Sequence, residues 1–173
     1  VGYTNSGKTT VMNALTHAKF QAKNALFVTL DANVRVLDPA TRPKILLSDT
    51  VGFIRNLPHS LIESFKSTLD EVIDADLLLH VVDLSHAKYQ AQMDATRKVL
   101  AEIGADKMPV ITVFNKIDQV EDRFLPRIMR GAYPRSIAIS ALNDQDIMRL
   151  RDHVYAMFAD NFVSAELEIP ADE

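Results

Sequence analysis

The sequence contains no cysteine, no long apolar segment and no excess of positive charge. Without cysteine, disulfide bonds, thiolate metal sites and cysteine nucleophiles are excluded. No apolar run approaches the roughly 20 residues that a membrane-spanning helix needs, and no secretory signal is visible, so we expect a cytoplasmic protein without membrane contact. The formal net charge is −4 and the isoelectric point is about 5.7, which leaves only a local patch or another domain to contact a nucleic acid.

Residues 2–9 match the phosphate-binding loop pattern G-x-x-x-x-G-K-[ST]. Its two glycines allow the backbone to curl so that successive N–H groups point at phosphate oxygens. Lys8 is expected to neutralise the β- and γ-phosphates, and the Thr9 hydroxyl to bind Mg²⁺. The helix predicted over residues 8–16 points its positive N-terminus at the same anion. The predicted nucleotide-binding residues here are Gly2, Tyr3, Thr4, Asn5, Ser6, Gly7, Lys8, Thr9 and Thr10.

Helical and extended patterns alternate along the rest of the chain. Strands over 33–37 and 44–48 are predicted to form a hairpin around the turn-rich residues between them. Apolar spacing predicts helices over 58–73, 90–103 and 143–158, a weaker helix over 124–130 that Pro126 interrupts, and buried strands over 77–82, 110–114 and 136–139. His80, inside the first buried strand, is predicted to be structural. We therefore predict an α/β fold with a mostly parallel sheet, an antiparallel edge hairpin and helices on both faces.

In such sheets, ligands bind beyond the carboxyl ends of the strands. Asp49 ends a predicted strand and can hold Mg²⁺, usually through a water, as a Walker-B aspartate does. Gly52, in Asp49-Thr50-Val51-Gly52, can present its N–H to a γ-phosphate and let the loop swing when that phosphate leaves. Thr29 is predicted as a second metal ligand that releases its loop after hydrolysis, and is preferred to Thr41 because Thr41 lies in the hairpin turn.

The pattern Asn115-Lys116-Ile117-Asp118 follows a predicted buried strand and indicates recognition of guanine. The Asp118 carboxylate can accept hydrogen bonds from guanine N1 and from the exocyclic amine, neither of which adenine offers. The Lys116 stem can lie across the base, and Asn115 can brace the phosphate loop. A backbone N–H of Ser140 or Ala141 can donate to guanine O6.

These motifs resemble the G domain of the HflX family of bacterial ribosome-associated GTPases, in the Obg–HflX group. The resemblance extends from Val1 to about Phe158, with Ser6 and Thr9 where alanine and serine are usual. It implies a P-loop NTPase G domain that binds GTP and GDP, requires Mg²⁺ and is activated by the large (50S) ribosomal subunit. It is based on residues 1–9, on Leu26-Phe27-Val28-Thr29-Leu30-Asp31, on Asp49-Thr50-Val51-Gly52-Phe53-Ile54-Arg55-Asn56-Leu57-Pro58-His59 and on residues 77–83.

The chain begins at Val1, where the last residue of a buried strand is expected to precede the phosphate loop. We expect nearly all of that strand, and the family's N-terminal domain, to lie in a longer polypeptide that makes much of the ribosome contact. Residues 1–160 are expected to form one G domain, and residues 161–173 a tail or the start of a following segment. We expect this part of the protein to be monomeric.

Three functions remain open from the sequence. The first is a GTP-hydrolysing switch that acts on the ribosome, with Lys8, Thr29, Gly52 and Phe53 assigned to hydrolysis. The second is a guanine-nucleotide-binding module with negligible turnover, which differs from the first because ribosomes would not raise its phosphate release. The third is an ATP-using phosphotransferase. The pattern over 115–118 argues against it, and a preference for ATP over GTP in competition would revive it.

Asn5 suggests a role for K⁺ in hydrolysis. In some related GTPases an asparagine at this position of the phosphate loop helps to bind K⁺, which supplies positive charge where others use an arginine finger. The alternative is that Asn5 only braces the loop. Equal turnover in K⁺ and Na⁺ buffers would exclude the K⁺ role. Arg55 and His59 are expected to face solvent or a partner.

Phe53 occupies the position at which many GTPases carry a glutamine that orients the attacking water. Because phenylalanine neither donates nor accepts a hydrogen bond, either the domain hydrolyses GTP slowly until a partner binds, or another group orients the water. The resemblance favours the first explanation, with Phe53 as a hydrophobic gate to water. We predict that Phe53→Ala changes the ribosome-stimulated turnover, measured beside Phe53→Gln and wild type. An unchanged rate in Phe53→Ala would contradict the gate.

Overall fold

The computed structural model of this chain describes residues 1–16, 33–41, 44–49 and 72–159. The described α-helices and strands follow the predicted order, and each of their boundaries lies within two residues of its prediction, whereas the short 3-10 helix was not predicted. In chain order they are α1 (Lys8–Leu15), β1 (Asn33–Val36), β2 (Leu46–Asp49), β3 (Leu78–Asp83), α2 (Tyr89–Glu102), β4 (Val110–Asn115), a 3-10 helix (Ile117–Gln119), α3 (Leu125–Ala132), β5 (Ser136–Ala138) and α4 (Asp144–Ala159).

The described strands form one antiparallel pair and one parallel sheet. β1 pairs with β2 so that Asn33 lies opposite Asp49. β3, β4 and β5 are parallel and adjacent in that order, with Thr112 of β4 opposite both His80 and Ser136. The predicted hairpin and the predicted parallel strands are therefore confirmed.

Val1 is hydrogen-bonded in the manner of a parallel strand residue beside β3. Its amino group donates to the Leu79 carbonyl at 2.9 Å, and the Val81 N–H donates to the Val1 carbonyl at 2.9 Å. The phosphate loop, residues 2–9, therefore begins at the edge of β3 and continues directly into α1.

Helices cover both faces of the parallel sheet because side chains alternate along each strand. The helices α1 and α4 pack against the odd-numbered residues of β3, β4 and β5, whereas α2 and α3 pack against the even-numbered ones. This arrangement confirms the prediction of helices on both faces. The most deeply buried side chains include Leu15, Met93, Ile111, Val113, Phe114 and Leu150.

The boundaries of α3 and α4 show how local chemistry sets a helix start. Pro126 does not interrupt α3, as the sequence pattern suggested, but lies in its first turn. A proline is tolerated there because the first backbone N–H groups of a helix have no intrahelical acceptor. Asn143 caps α4 as predicted, since its side-chain oxygen accepts hydrogen bonds from the N–H groups of Gln145 at 2.9 Å and Asp146 at 3.3 Å.

Several predictions lie outside the described residues. They include most of the helix over 58–73 and the segment after 159, so the division at residue 160 stays a prediction. Within the part of the chain that the structure describes, no helix is both long enough and apolar enough to span a membrane.

His80 lies in β3 with only 2% of its surface exposed. Burial lowers the pKa of its imidazole from 6.5 to about 3, and the positive charges of Arg97 and Lys8 add to this shift. The unfolded chain takes up this proton near pH 6.5, whereas the folded chain does so only near pH 3. Neutral His80 therefore contributes stability that is complete above pH 6.5 and is lost as the pH falls towards 3.

We predict that His80→Leu reduces the pH dependence of the free energy of unfolding between about pH 7 and about pH 4.5. Wild type should lose up to about 1.4 kcal/mol per pH unit more than the variant, as measured by urea denaturation. His86→Asn, at an exposed histidine, is the matched control and should keep the wild-type slope. Identical slopes for His80→Leu and wild type would show that His80 is not the source.

Candidate functional site

The phosphate loop adopts a backbone that few side chains allow. Gly2, Asn5 and Gly7 all have positive φ, at 149°, 60° and 93°. A Cβ atom on Gly2 would lie 2.3 Å from the Val81 carbonyl oxygen, so the loop is pressed directly against β3. Gly7 immediately precedes α1 and provides no capping side chain, and the first turn of α1 contains no acidic residue. The N–H groups at the start of α1 are therefore not capped by a side chain of the described residues.

Asn115, the last residue of β4, connects the phosphate loop to the loop that follows β5. It is 2% exposed. Its side-chain N–H₂ donates to the Ser6 carbonyl at 3.0 Å, and its side-chain oxygen accepts from the Ala141 N–H at 3.1 Å. A Cβ atom on Gly7 would lie 2.4 Å from the Asn115 amide nitrogen, so only glycine fits beside it. Asn115 is therefore hydrogen-bonded to the phosphate loop, as its predicted bracing role requires, and it also binds Ala141.

Lys8 folds back over the phosphate loop. Its ammonium donates to the Tyr3 carbonyl at 3.1 Å. Burial lowers the pKa of Lys8 from 10.5 to about 8, against the opposing effect of the Asp49 carboxylate. A partly desolvated ammonium at the centre of an N–H-rich loop is well suited to bind a phosphate oxygen.

Thr9 and Asp49, both predicted to bind Mg²⁺, lie together. The Thr9 hydroxyl donates to the Asp49 carboxylate at 2.9 Å, and Asp49 is 6% exposed at the end of β2. Among the described residues no three His, Asp or Glu side chains gather around one point. Mg²⁺ is ordinarily held by one or two protein oxygens together with substrate phosphates and water, so this oxygen pair fits Mg²⁺. Thr10 lies beside Thr9 in the first turn of α1.

Residues 115–118, which the sequence predicts to recognise the base and which we call the base-recognition loop, turn sharply after β4. Lys116 has a φ of 62°, and its ammonium donates to the Asn5 carbonyl at 3.0 Å and to an Asp83 carboxylate oxygen at 2.7 Å. Asp118 lies in the 3-10 helix and is exposed. Its carboxylate is therefore accessible to a base, while Lys116 connects this loop to the phosphate loop.

The two amides proposed for guanine O6 already have acceptors within the chain. The Ser140 N–H donates to the buried Asp146 carboxylate at 2.7 Å, and the Ala141 N–H donates to the Asn115 side chain at 3.1 Å. The other Asp146 oxygen is paired with Arg149. A guanine oxygen at either amide would share or replace one of these acceptors, and the longer Ala141 contact is the easier to share.

Most of the predicted site residues that lie in the described part of the chain therefore contact one another. Direct contacts join Thr9 to Asp49, Ser6 and Ala141 to Asn115, and Asn5 to Lys116. Three residues assigned to hydrolysis, Thr29, Gly52 and Phe53, lie outside the described residues, as do Arg55 and His59.

Asp83 and Asp146 were not predicted from the sequence, and both hold polar groups of these loops. Asp83 could have been selected from the sequence because it is an acidic residue directly after a predicted buried strand. Asp146 gave no such signal because it lies inside a helix, where an acidic residue in the first turn is common.

The chain is similar in sequence to known GTPases. The family profile described as 50S ribosome-binding GTPase matches residues 1–116. The protein described as GTPase HflX from Gluconacetobacter diazotrophicus is 48% identical over 170 residues, which cover 98% of this chain and 38% of that relative. GTPase HflX from Escherichia coli K12 is 41% identical over 175 residues, which cover 100% of this chain and 41% of that relative.

A solved structure shows the same fold. The crystal structure of a GTP-binding protein from the hyperthermophilic archaeon Sulfolobus solfataricus, in complex with GDP, superposes with a TM-score of 0.71 and 28% identity, covering 93% of this chain and 51% of that chain. The α/β P-loop GTPase fold predicted from the sequence is confirmed. The chain spans 38% and 41% of the length of the two HflX relatives above, and it belongs to the 50S ribosome-binding GTPase family, within the HflX group.

Proposed function

We propose that this chain is the G domain of a Mg²⁺-dependent, GTP-hydrolysing switch that acts on the large ribosomal subunit. The main support is Asn115, which joins the loop that suits phosphate to the loop that suits guanine. A guanine nucleotide could place its phosphates in the first loop and its base in the second at the same time. The family profile and the HflX relatives support the same function.

The phosphate loop would bind the triphosphate through its backbone N–H groups, the start of α1 and the Lys8 ammonium. Thr9 and Asp49 would hold Mg²⁺, with Thr29 added from the sequence, and the ion would neutralise charge on the β- and γ-phosphates. Lys8 and the backbone amides also stabilise negative charge that develops during hydrolysis. From the sequence, the Gly52 N–H would donate to the γ-phosphate, and Phe53 would control access of water.

The base-recognition loop would select guanine. The exposed Asp118 carboxylate accepts two hydrogen bonds that adenine lacks, so ATP would leave it unpaired. The Lys116 stem provides an apolar surface for the flat base, and the Ala141 amide provides a donor for guanine O6. This recognition argues against the ATP-using phosphotransferase.

The ribosome is proposed as the partner because the family profile describes a 50S ribosome-binding GTPase. Since this chain spans less than half of its HflX relatives, parts outside it are expected to make much of that contact. A binding module with negligible turnover is the second candidate, favoured by Phe53 in place of a water-orienting glutamine.

The decisive experiment measures GTP hydrolysis with and without large ribosomal subunits, using this chain and the complete protein. Stimulation of the complete protein alone would show that the remaining parts place the switch on the ribosome. Stimulation of neither, with tight GTP binding intact, would favour the binding module. Competition between ATP and GTP in the same assay tests the base preference.

We predict that Gly7→Ala weakens GDP binding by about 100-fold, or roughly 2.7 kcal/mol. The new methyl group would collide with the Asn115 amide, which lies 2.4 Å from the Cβ position, and alanine disfavours the φ of 93°. Titration with a fluorescent GDP analogue measures the change.

Gly131→Ala is the matched control for this substitution. Gly131 lies in α3 and a Cβ atom there would meet nothing within 4 Å, so GDP affinity should stay at the wild-type value. Alanine should stabilise the helix by about 0.5–1 kcal/mol. Wild-type GDP affinity in Gly7→Ala would show that the close approach of these loops is not required.

A further inference from the structure

Asp83 is the last residue of β3, and both of its carboxylate oxygens are engaged. One oxygen lies 2.7 Å from the Lys116 ammonium. The other accepts hydrogen bonds from the Ser85 N–H at 3.1 Å and from the Ser85 hydroxyl at 2.6 Å. The side chain is 12% exposed. Its orientation is therefore fixed by the fold, because the serine side chain and backbone hold one oxygen while the other faces Lys116.

The Lys116 ammonium lies between two loops and is held from both sides. It contacts Asp83 on one side and the Asn5 carbonyl, at 3.0 Å, on the other. Asn5 and Lys116 both have positive φ, which non-glycine residues adopt rarely. The hydrogen bond from Lys116 to Asn5 thus joins two turns of unusual backbone conformation, and the pairing of the strands does not by itself hold these turns together.

A lysine side chain has four rotatable bonds, so placing its ammonium in one position costs conformational entropy. A neutral carbonyl offsets little of this cost, whereas a charge-assisted hydrogen bond to a largely buried carboxylate offsets more. Since only 23% of the Lys116 side chain is exposed, solvent screens the pair weakly. The Asp83 charge is therefore well placed to hold Lys116 against Asn5.

We propose that Asp83 is a positioning residue for guanine nucleotide binding. By holding the Lys116 ammonium on the Asn5 carbonyl, it fixes the base-recognition loop against the phosphate loop and aligns the Lys116 stem with the base. This inference rests on the proposed nucleotide-binding function. Binding to loops that are already aligned costs less free energy than binding that must first order them.

The test is a double-mutant cycle in the complete protein, with fluorescent GDP as the ligand. Asp83→Asn preserves the shape of the side chain but removes its charge, and should weaken GDP binding about tenfold, or about 1.4 kcal/mol. Lys116→Met retains the apolar stem without the ammonium and should weaken binding at least as much. If Asp83 acts through Lys116, the double variant binds no more weakly than Lys116→Met alone.

Two further variants separate positioning from a general structural role. Asp76→Asn removes the same charge from an exposed residue before the opposite end of β3 and should bind GDP like wild type. Asp83→Glu restores the charge and should recover GDP affinity to within about threefold of wild type, or about 0.7 kcal/mol. It also serves as the test if Asp83→Asn does not fold, and circular dichroism of the nucleotide-free proteins checks folding.

Additive losses in the cycle, or wild-type affinity in Asp83→Asn, would overturn the positioning role while leaving nucleotide binding in place. A wild-type protein that binds no guanine nucleotide would overturn the proposed function, and this inference with it. Non-additive losses with recovery in Asp83→Glu are the expected result.

Discussion

The close contact between Asn115 and Gly7 determines how the loops of this site are arranged. The buried Asn115 amide would lie only 2.4 Å from any Cβ at position 7, and it also binds the backbone of Ser6 and Ala141. A buried amide that loses its hydrogen-bond partners costs about 1–3 kcal/mol of folding free energy. Moving either loop away from Asn115 would therefore destabilise the folded protein. The geometry suited to phosphate and the geometry suited to guanine therefore depend on the same side chain.

The sequence predicted this arrangement because parallel strands bring their carboxyl ends to one edge. Once β3, β4 and β5 were predicted as buried parallel strands, residues at their ends had to lie near each other. The Thr9–Asp49 contact was likewise predictable, because both residue types recur at set positions relative to a phosphate loop. The spacing of a motif therefore predicts which residues of a site lie close together.

Contacts that depend on rotamers and register were not predictable. Asp83 and Lys116 are 33 positions apart, and only the β3–β4 register, which places Asp83 opposite Asn115, brings their side chains together. Similarly, nothing in the sequence indicated that Asp146 accepts the Ser140 amide. Pattern analysis identifies which residues end a strand, whereas the direction in which each side chain extends depends on the packing of the whole sheet.

The start of α1 has a consequence for stability as well as for binding. A helix N-terminus normally receives about 1 kcal/mol from a capping side chain, and Gly7 provides none. A phosphate group at this position satisfies the same N–H groups and interacts favourably with the helix dipole. A phosphate bound there would act as the missing cap of α1, so the ligand would contribute to the folding of the helix that binds it.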